Sequence, residues 1–136
     1  MESISEEDRS WAIYANAAGL LVFTSIPFAN VLATLLIWLR VKRMDAMPFS
    51  RSHAARAFNF QVTYSLVLGI GAMVLMSVML ELAAHPQWGS NQSWLVYGLI
   101  AYGALTLANV VICIVGAVAA SDLRPFRYPL AIPFVR

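Results

Sequence analysis

Three apolar stretches, Ala12–Leu39, Ala57–Ala84 and Trp94–Ser121, take up most of the chain, and nearly every charge lies outside them. Each is 28 residues long, and only the second holds a charged side chain, Glu81, close to its end. As a helix, such a stretch would be about 42 Å long, against roughly 30 Å for the hydrocarbon core of a bilayer. A helix in water needs a polar face, and these stretches have none. The chain therefore reads as an integral membrane protein, with the lipid bilayer as its first partner. A hydrophobic fraction of 60% and a mean hydropathy of +0.71 agree with that reading. The 136 residues leave room for three or four spans and short connections in a single membrane domain, 1–136.

The placement of charge orients the chain. Segment 40–56 holds Arg40, Lys42, Arg43, Arg51 and Arg56 against Asp45, and 122–136 holds Arg124, Arg127 and Arg136 against Asp122. The connection near 85–93 has no Lys or Arg. By the positive-inside rule, loop 44–52 and the C-terminus are cytoplasmic in a bacterial inner membrane, and 85–93 faces outward. Topology accounts for the basic loop, so no nucleic-acid partner is expected. The start, MESISEEDRS, is acidic where a secretory signal is basic.

Pro27 interrupts the first apolar stretch. Either 12–39 is one kinked span, giving three spans, or it is a hairpin of two shorter helices, giving four. The second reading puts all nine Lys and Arg on one side, and the turn chemistry of Pro27-x-x-Asn30 favours it. The expected fold is thus an all-α bundle of four transmembrane helices, about 6–25, 28–43, 53–84 and 93–120, with a cytoplasmic tail at 121–136. Ser5 with Asp8 forms a capping box for the first helix, and Ser50 or Ser52 suits the start of the third. Ala15-x-x-x-Gly19 is a small-residue ridge suited to close helix approach. Trp88 and Trp94 suit the outer interface.

The polar residues most in need of explanation are His53, Arg56, Asn59 and Gln61, at the mouth of the third helix, and Asn109, in mid-membrane. Arg56, Asn59 and Thr63 share one helical face, and Gln61 points elsewhere. Polar groups at such depth are costly unless paired, so they face protein or water. They are expected to tie helices to each other and to the tail, with Asn59 and Gln61 reaching the region of Tyr128. Binding of a peptide, a headgroup or a partner by this cluster is the alternative.

Catalysis finds little support. No Gly-rich phosphate loop, nucleophile elbow or metalloprotease motif occurs. His53 and His85 fall on opposite sides of the proposed membrane, so no metal site is expected, and no cofactor. Cys113, the one cysteine, sits in an apolar run where a thiol is inert.

Several short motifs resemble those of small bacterial membrane proteins of the Tic20-like group, distantly similar to the chloroplast inner-envelope protein-import component. These are Trp11, Pro27, Ile37-Trp38-Leu39, His53-Ala-Ala-Arg56-Ala-Phe-Asn59-Phe-Gln61 and Phe126-Arg127-Tyr128-Pro129-Leu130. Phe58 stands where that group usually has leucine. The resemblance implies a four-helix membrane fold. The residues themselves suggest a non-enzymatic accessory or assembly subunit, partnered by other membrane proteins or by copies of itself. The resemblance adds a translocation or channel-like component as the alternative.

Overall fold

The computed structural model describes residues 4–24, 28–44, 46–85 and 93–135. Four α-helices follow one another: α1 (Glu6–Ala17), α2 (Ala29–Lys42), α3 (Pro48–Ala84) and α4 (Ser93–Ser121), with a 3-10 segment, Ala18–Phe23, continuing α1. No strand occurs among the described residues. Pro27, Trp88 and the turn after His85 lie outside them.

Local chemistry accounts for the ends. The Ser5 hydroxyl accepts from Asp8 N at 3.1 Å, capping α1. The Asp8 carboxylate does not complete the expected box. It crosses to α3, where Oδ1 accepts from Ser50 N at 2.7 Å and Oδ2 from Phe49 N at 3.3 Å. The third helix accordingly starts earlier than its serines suggest. Pro48 takes the first turn, where no amide partner is needed, and an aspartate from another helix serves the amides behind it. Phe28, in left-handed conformation at φ 59°, leads into α2, and Arg40 and Lys42 lie at its C-terminal end, where cations suit the dipole.

These contacts fix how the helices run. Asp8 against Ser50 makes α1 parallel to α3. Trp38 stacked on Phe58 and Asn30 bonded to Ser65 make α2 antiparallel to it. Gly19 against Cys113 and Asn16 against Gly116 make α4 antiparallel to α1. One end of the molecule thus gathers the charges of α1, α2, the α3 start and the tail. Toward the far ends of α3 and α4 the described residues carry only Glu81 and His85, 3.9 Å apart. The first apolar stretch is two helices rather than one kinked rod.

Two helices are long and apolar enough to cross a membrane, α3 with 37 residues and α4 with 29. Only 6% and 22% of their most apolar windows are buried, the reverse of a core helix in a soluble protein. α1 and α2, with 12 and 14 residues, span about 18 Å and 21 Å as α-helices; the 3-10 segment adds about 12 Å to α1, so α2 is the one that falls short of a 30 Å core. The interior is built from small and polar side chains: Ala12, Ala15, Ala54, Ala55, Ala57 and Ala120 beside Asn16, Thr34, His53, Gln61 and Asn109. Leu36, Ile70, Met73, Leu80, Ile100 and Leu107 face outward. Between apolar solvent and apolar side chains there is no hydrophobic force to exploit, so close packing and interhelical hydrogen bonds hold the helices together.

Candidate functional site

The buried polar side chains form two linked groups where α1, α2 and α4 meet the first half of α3. In the first, Asn16 of α1 is the junction. Its Nδ2 donates to Ala12 O at 2.6 Å and lies 3.1 Å from His53 Nδ1, while its Oδ1 accepts from the Tyr128 hydroxyl at 2.5 Å. The carbonyl of Ala12 and the phenol of Tyr128 fix which way the amide points. His53 Nδ1 is therefore the acceptor and the ring is the neutral tautomer protonated at Nε2, an assignment made from the hydrogen-bond network. Phe49 packs on the imidazole at 4.6 Å between centroids, and Phe60 stacks on Tyr128 at 4.7 Å.

Gln61 is the junction of the second group. Its Oε1 accepts from Asn30 Nδ2 at 2.7 Å, and its Nε2 donates to Asn109 Oδ1 at 3.1 Å and Cys113 Sγ at 3.2 Å. One side chain thus joins α2, α3 and α4. Gly19 closes over it: a Cβ there would lie 2.3 Å from Gln61 Nε2 and 2.4 Å from Cys113 Sγ. The Ala15–Gly19 ridge is where α1 reaches this amide, with Ala15 itself wholly buried.

The tail is strapped to α3 by the face that carries Arg56, Asn59 and Thr63. Arg56 Nη1 donates to Phe126 O at 2.9 Å. Asn59 Nδ2 donates to Val135 O at 2.8 Å, and its Oδ1 accepts from Phe134 N and Val135 N, both at 2.9 Å. Thr63 Oγ1 accepts from Ile132 N at 3.0 Å. An amide that meets one backbone acceptor and two backbone donors replaces the strand partner that this extended segment lacks. Burial raises the Tyr128 hydroxyl well above its ordinary pKa, so it stays a donor throughout the physiological range.

The six residues singled out from sequence thus separate by role. His53 and Tyr128 meet through Asn16, and Arg56 and Asn59 hold the tail. Contrary to the expectation that it reaches the tail, Gln61 makes no hydrogen bond there among the described residues; it bonds to α2 and α4, because its helical position turns it off the Asn59 face. Asn109 joins it across the α3–α4 interface. Sequence reasoning missed Asn16, Asn30 and Asp8. Asn16 and Asn30 are amides within an apolar stretch, which was their signal, and Asp8 was read only as a local cap. No group of three or more His, Cys, Asp or Glu with metal-site geometry occurs among the described residues.

The model of the magnetosome magnetite crystal formation protein family (MamF/MmsF) matches residues 7–135, nearly the whole chain. The chain belongs to that family. No curated protein and no solved structure matches it. The family match overturns the resemblance to the Tic20-like group, and the translocation alternative drawn from that resemblance goes with it. The motifs behind the resemblance, HAARAFNFQ and FRYPL, are positions where α3 grips the tail and its neighbouring helices. In this chain those residues serve packing. Membership, together with the exposed apolar faces of α3 and α4, makes this a membrane protein of a family tied to magnetite formation.

Proposed function

We propose that this member of the magnetosome family is a non-enzymatic membrane component that supports magnetite crystal formation by assembling with other membrane proteins or with copies of itself. The observation that carries the reading is how the interior amides are used. Asn16, Asn30, Asn59 and Gln61 bond to one another, to His53 and to the tail, so they hold helices rather than line a path. The surface offered to partners lies beyond this region, where α3 past Leu68 and α4 before Asn109 present largely exposed apolar side chains such as Met76, Leu80, Trp94 and Leu99.

In the same proposal, α3 and α4 cross the membrane and the basic end, with loop 44–52 and the C-terminus, faces the cytoplasm. The α1–α2 pair enters from that side. Its far end, at Val22, Thr24 and Phe28, stands level with Leu68–Ala72 of α3 and Tyr102 of α4. Purification in a mild detergent followed by mass spectrometry tests the assembly role: reproducible membrane-protein partners or a defined oligomer are expected. A monodisperse monomer that never retains a partner refutes it. Ser3→Cys, labelled with an impermeant thiol reagent, reports the side of the N-terminus, and labelling from the side opposite the C-terminus refutes the topology.

A further inference from the structure

We infer that the turn of the tail against α3 and α4 is a binding site for an anionic glycerophospholipid, with the phosphate held by Arg56 and Arg127 and an acyl chain lying in the adjoining groove. A cavity of about 240 Å³ opens between α3 and the tail, lined by Arg56, Asn59, Arg127, Tyr128, Ala131 and Pro133. On the other side of the same turn, a groove of about 200 Å³ runs between α3 and α4, with Phe60, Val67, Leu105, Ile112 and Leu130 among its walls. The two share the tail turn: Tyr128 and Ala131 belong to the cavity, Pro129 and Leu130 to the groove. On α3 they are adjacent too, at Asn59 and Phe60.

Charge favours an anion in the cavity. Among the described residues its lining has two guanidinium groups and no carboxylate. Arg124 next door is paired with Asp122, whereas Arg127 makes no hydrogen bond or ion pair among the described residues. Arg56 is partnered only by the neutral carbonyl of Phe126, which leaves most of its fork free. Two uncompensated guanidiniums beside a cavity suit a phosphate, whose oxygens accept from both in charge-assisted bonds.

The groove supplies the rest of an amphiphile. Leu130 is 93% exposed and held at φ 56°, a left-handed conformation unfavourable for a leucine. Nothing in the protein covers it; an acyl chain along the groove would. Free phosphate would leave the leucine and the apolar groove as they are, so the observations favour a lipid.

The test uses the full chain, delipidated in mild detergent and titrated with dioleoyl phosphatidylglycerol, dioleoyl phosphatidylcholine or sodium phosphate. Retained adducts are read by native mass spectrometry and stability by thermal unfolding. The anionic lipid is expected to bind and to raise the unfolding temperature, with phosphatidylcholine about tenfold weaker. Arg127→Glu, at an exposed side chain without internal partners, should weaken the anionic lipid about tenfold or more and leave phosphatidylcholine unchanged. Arg127→Gln repeats the test with a smaller change of charge. Leu130→Ser should weaken both lipids. Equal binding of the two lipids, undiminished anionic-lipid binding by both Arg127 variants, or full stabilisation by inorganic phosphate alone would each overturn the inference.

Discussion

Replacing Gln61 by leucine isolates the chemistry that joins three helices. The two side chains have similar volume, so the substitution removes hydrogen bonds without opening a large cavity. Three bonds disappear: from Asn30 Nδ2 at 2.7 Å, to Asn109 Oδ1 at 3.1 Å and to Cys113 Sγ at 3.2 Å. Interhelical bonds in membranes average about 0.6 kcal/mol, so their loss amounts to about 2 kcal/mol. The partners are left unevenly served. Asn30 keeps Ser65 Oγ at 3.3 Å, but Asn109 Oδ1 keeps only the Cys113 thiol at 3.7 Å and its Nδ2 already lacks a partner. Leaving that buried amide poorly served adds about 1 kcal/mol, which puts Gln61→Leu at about 3 kcal/mol destabilising.

Reversible unfolding in mixed micelles, followed by far-UV circular dichroism, measures this directly. The decisive comparison is the pair Gln61→Leu and Asn109→Leu. Removing both partners leaves nothing orphaned at their junction, so the double variant should be about 1 kcal/mol more stable than the sum of the single losses predicts. A Gln61→Leu protein within about 0.5 kcal/mol of the parent would show that packing alone holds these helices. Strict additivity in the pair would show that the two amides do not act through each other.

Gly19→Ala, whose methyl would overlap Gln61 and Cys113, should cost about 1–3 kcal/mol in the same assay. Gly69→Ala, with nothing within 4 Å, should cost nothing measurable; equal effects would contradict the close approach at Gly19. Asp8→Ala should destabilise by about 1–2 kcal/mol and loosen the start of α3, seen as faster amide exchange at Phe49 and Ser50. Because burial raises the Tyr128 pKa, the unfolded chain loses that proton first, near pH 10. The contribution of Tyr128 to stability should therefore be constant below about pH 10 and fall as the pH rises further. Tyr128→Phe should be less stable at neutral pH, through the lost bond to Asn16, yet show a shallower alkaline decline; an unchanged alkaline slope would contradict the assignment.

Much of the site was legible where helical spacing alone decides direction. Arg56, Asn59 and Thr63 recur on one face of any helix, and that face meets the tail. The expectation that Gln61 reaches the tail fails, because it lies off that face and bonds to Asn30 and Asn109 instead. Which helix it meets depends on how α2 and α4 lie, and spacing within α3 carries no such information. Asp8 shows the same limit. Its sequence neighbours make a good capping box, and only the arrival of α3 alongside α1 gives its carboxylate two better donors. The short motifs pointed to another family than the one that matches, because residues that serve packing here carry no family assignment by themselves.

Read alone, the residues determine that this chain lives in lipid, that it is helical, and that the basic residues of segments 40–56 and 122–136 share one side. Each follows from local quantities: the length of an apolar run, the absence of a polar face, the position of lysine and arginine. Tertiary structure decided that the first stretch is two short helices, that an aspartate from α1 starts α3, and that the tail folds back onto the membrane helix. Those outcomes depend on pairings between residues up to 112 positions apart, such as Asn16 with Tyr128. In an apolar medium a buried amide must find a partner somewhere, and its own sequence neighbourhood does not say which.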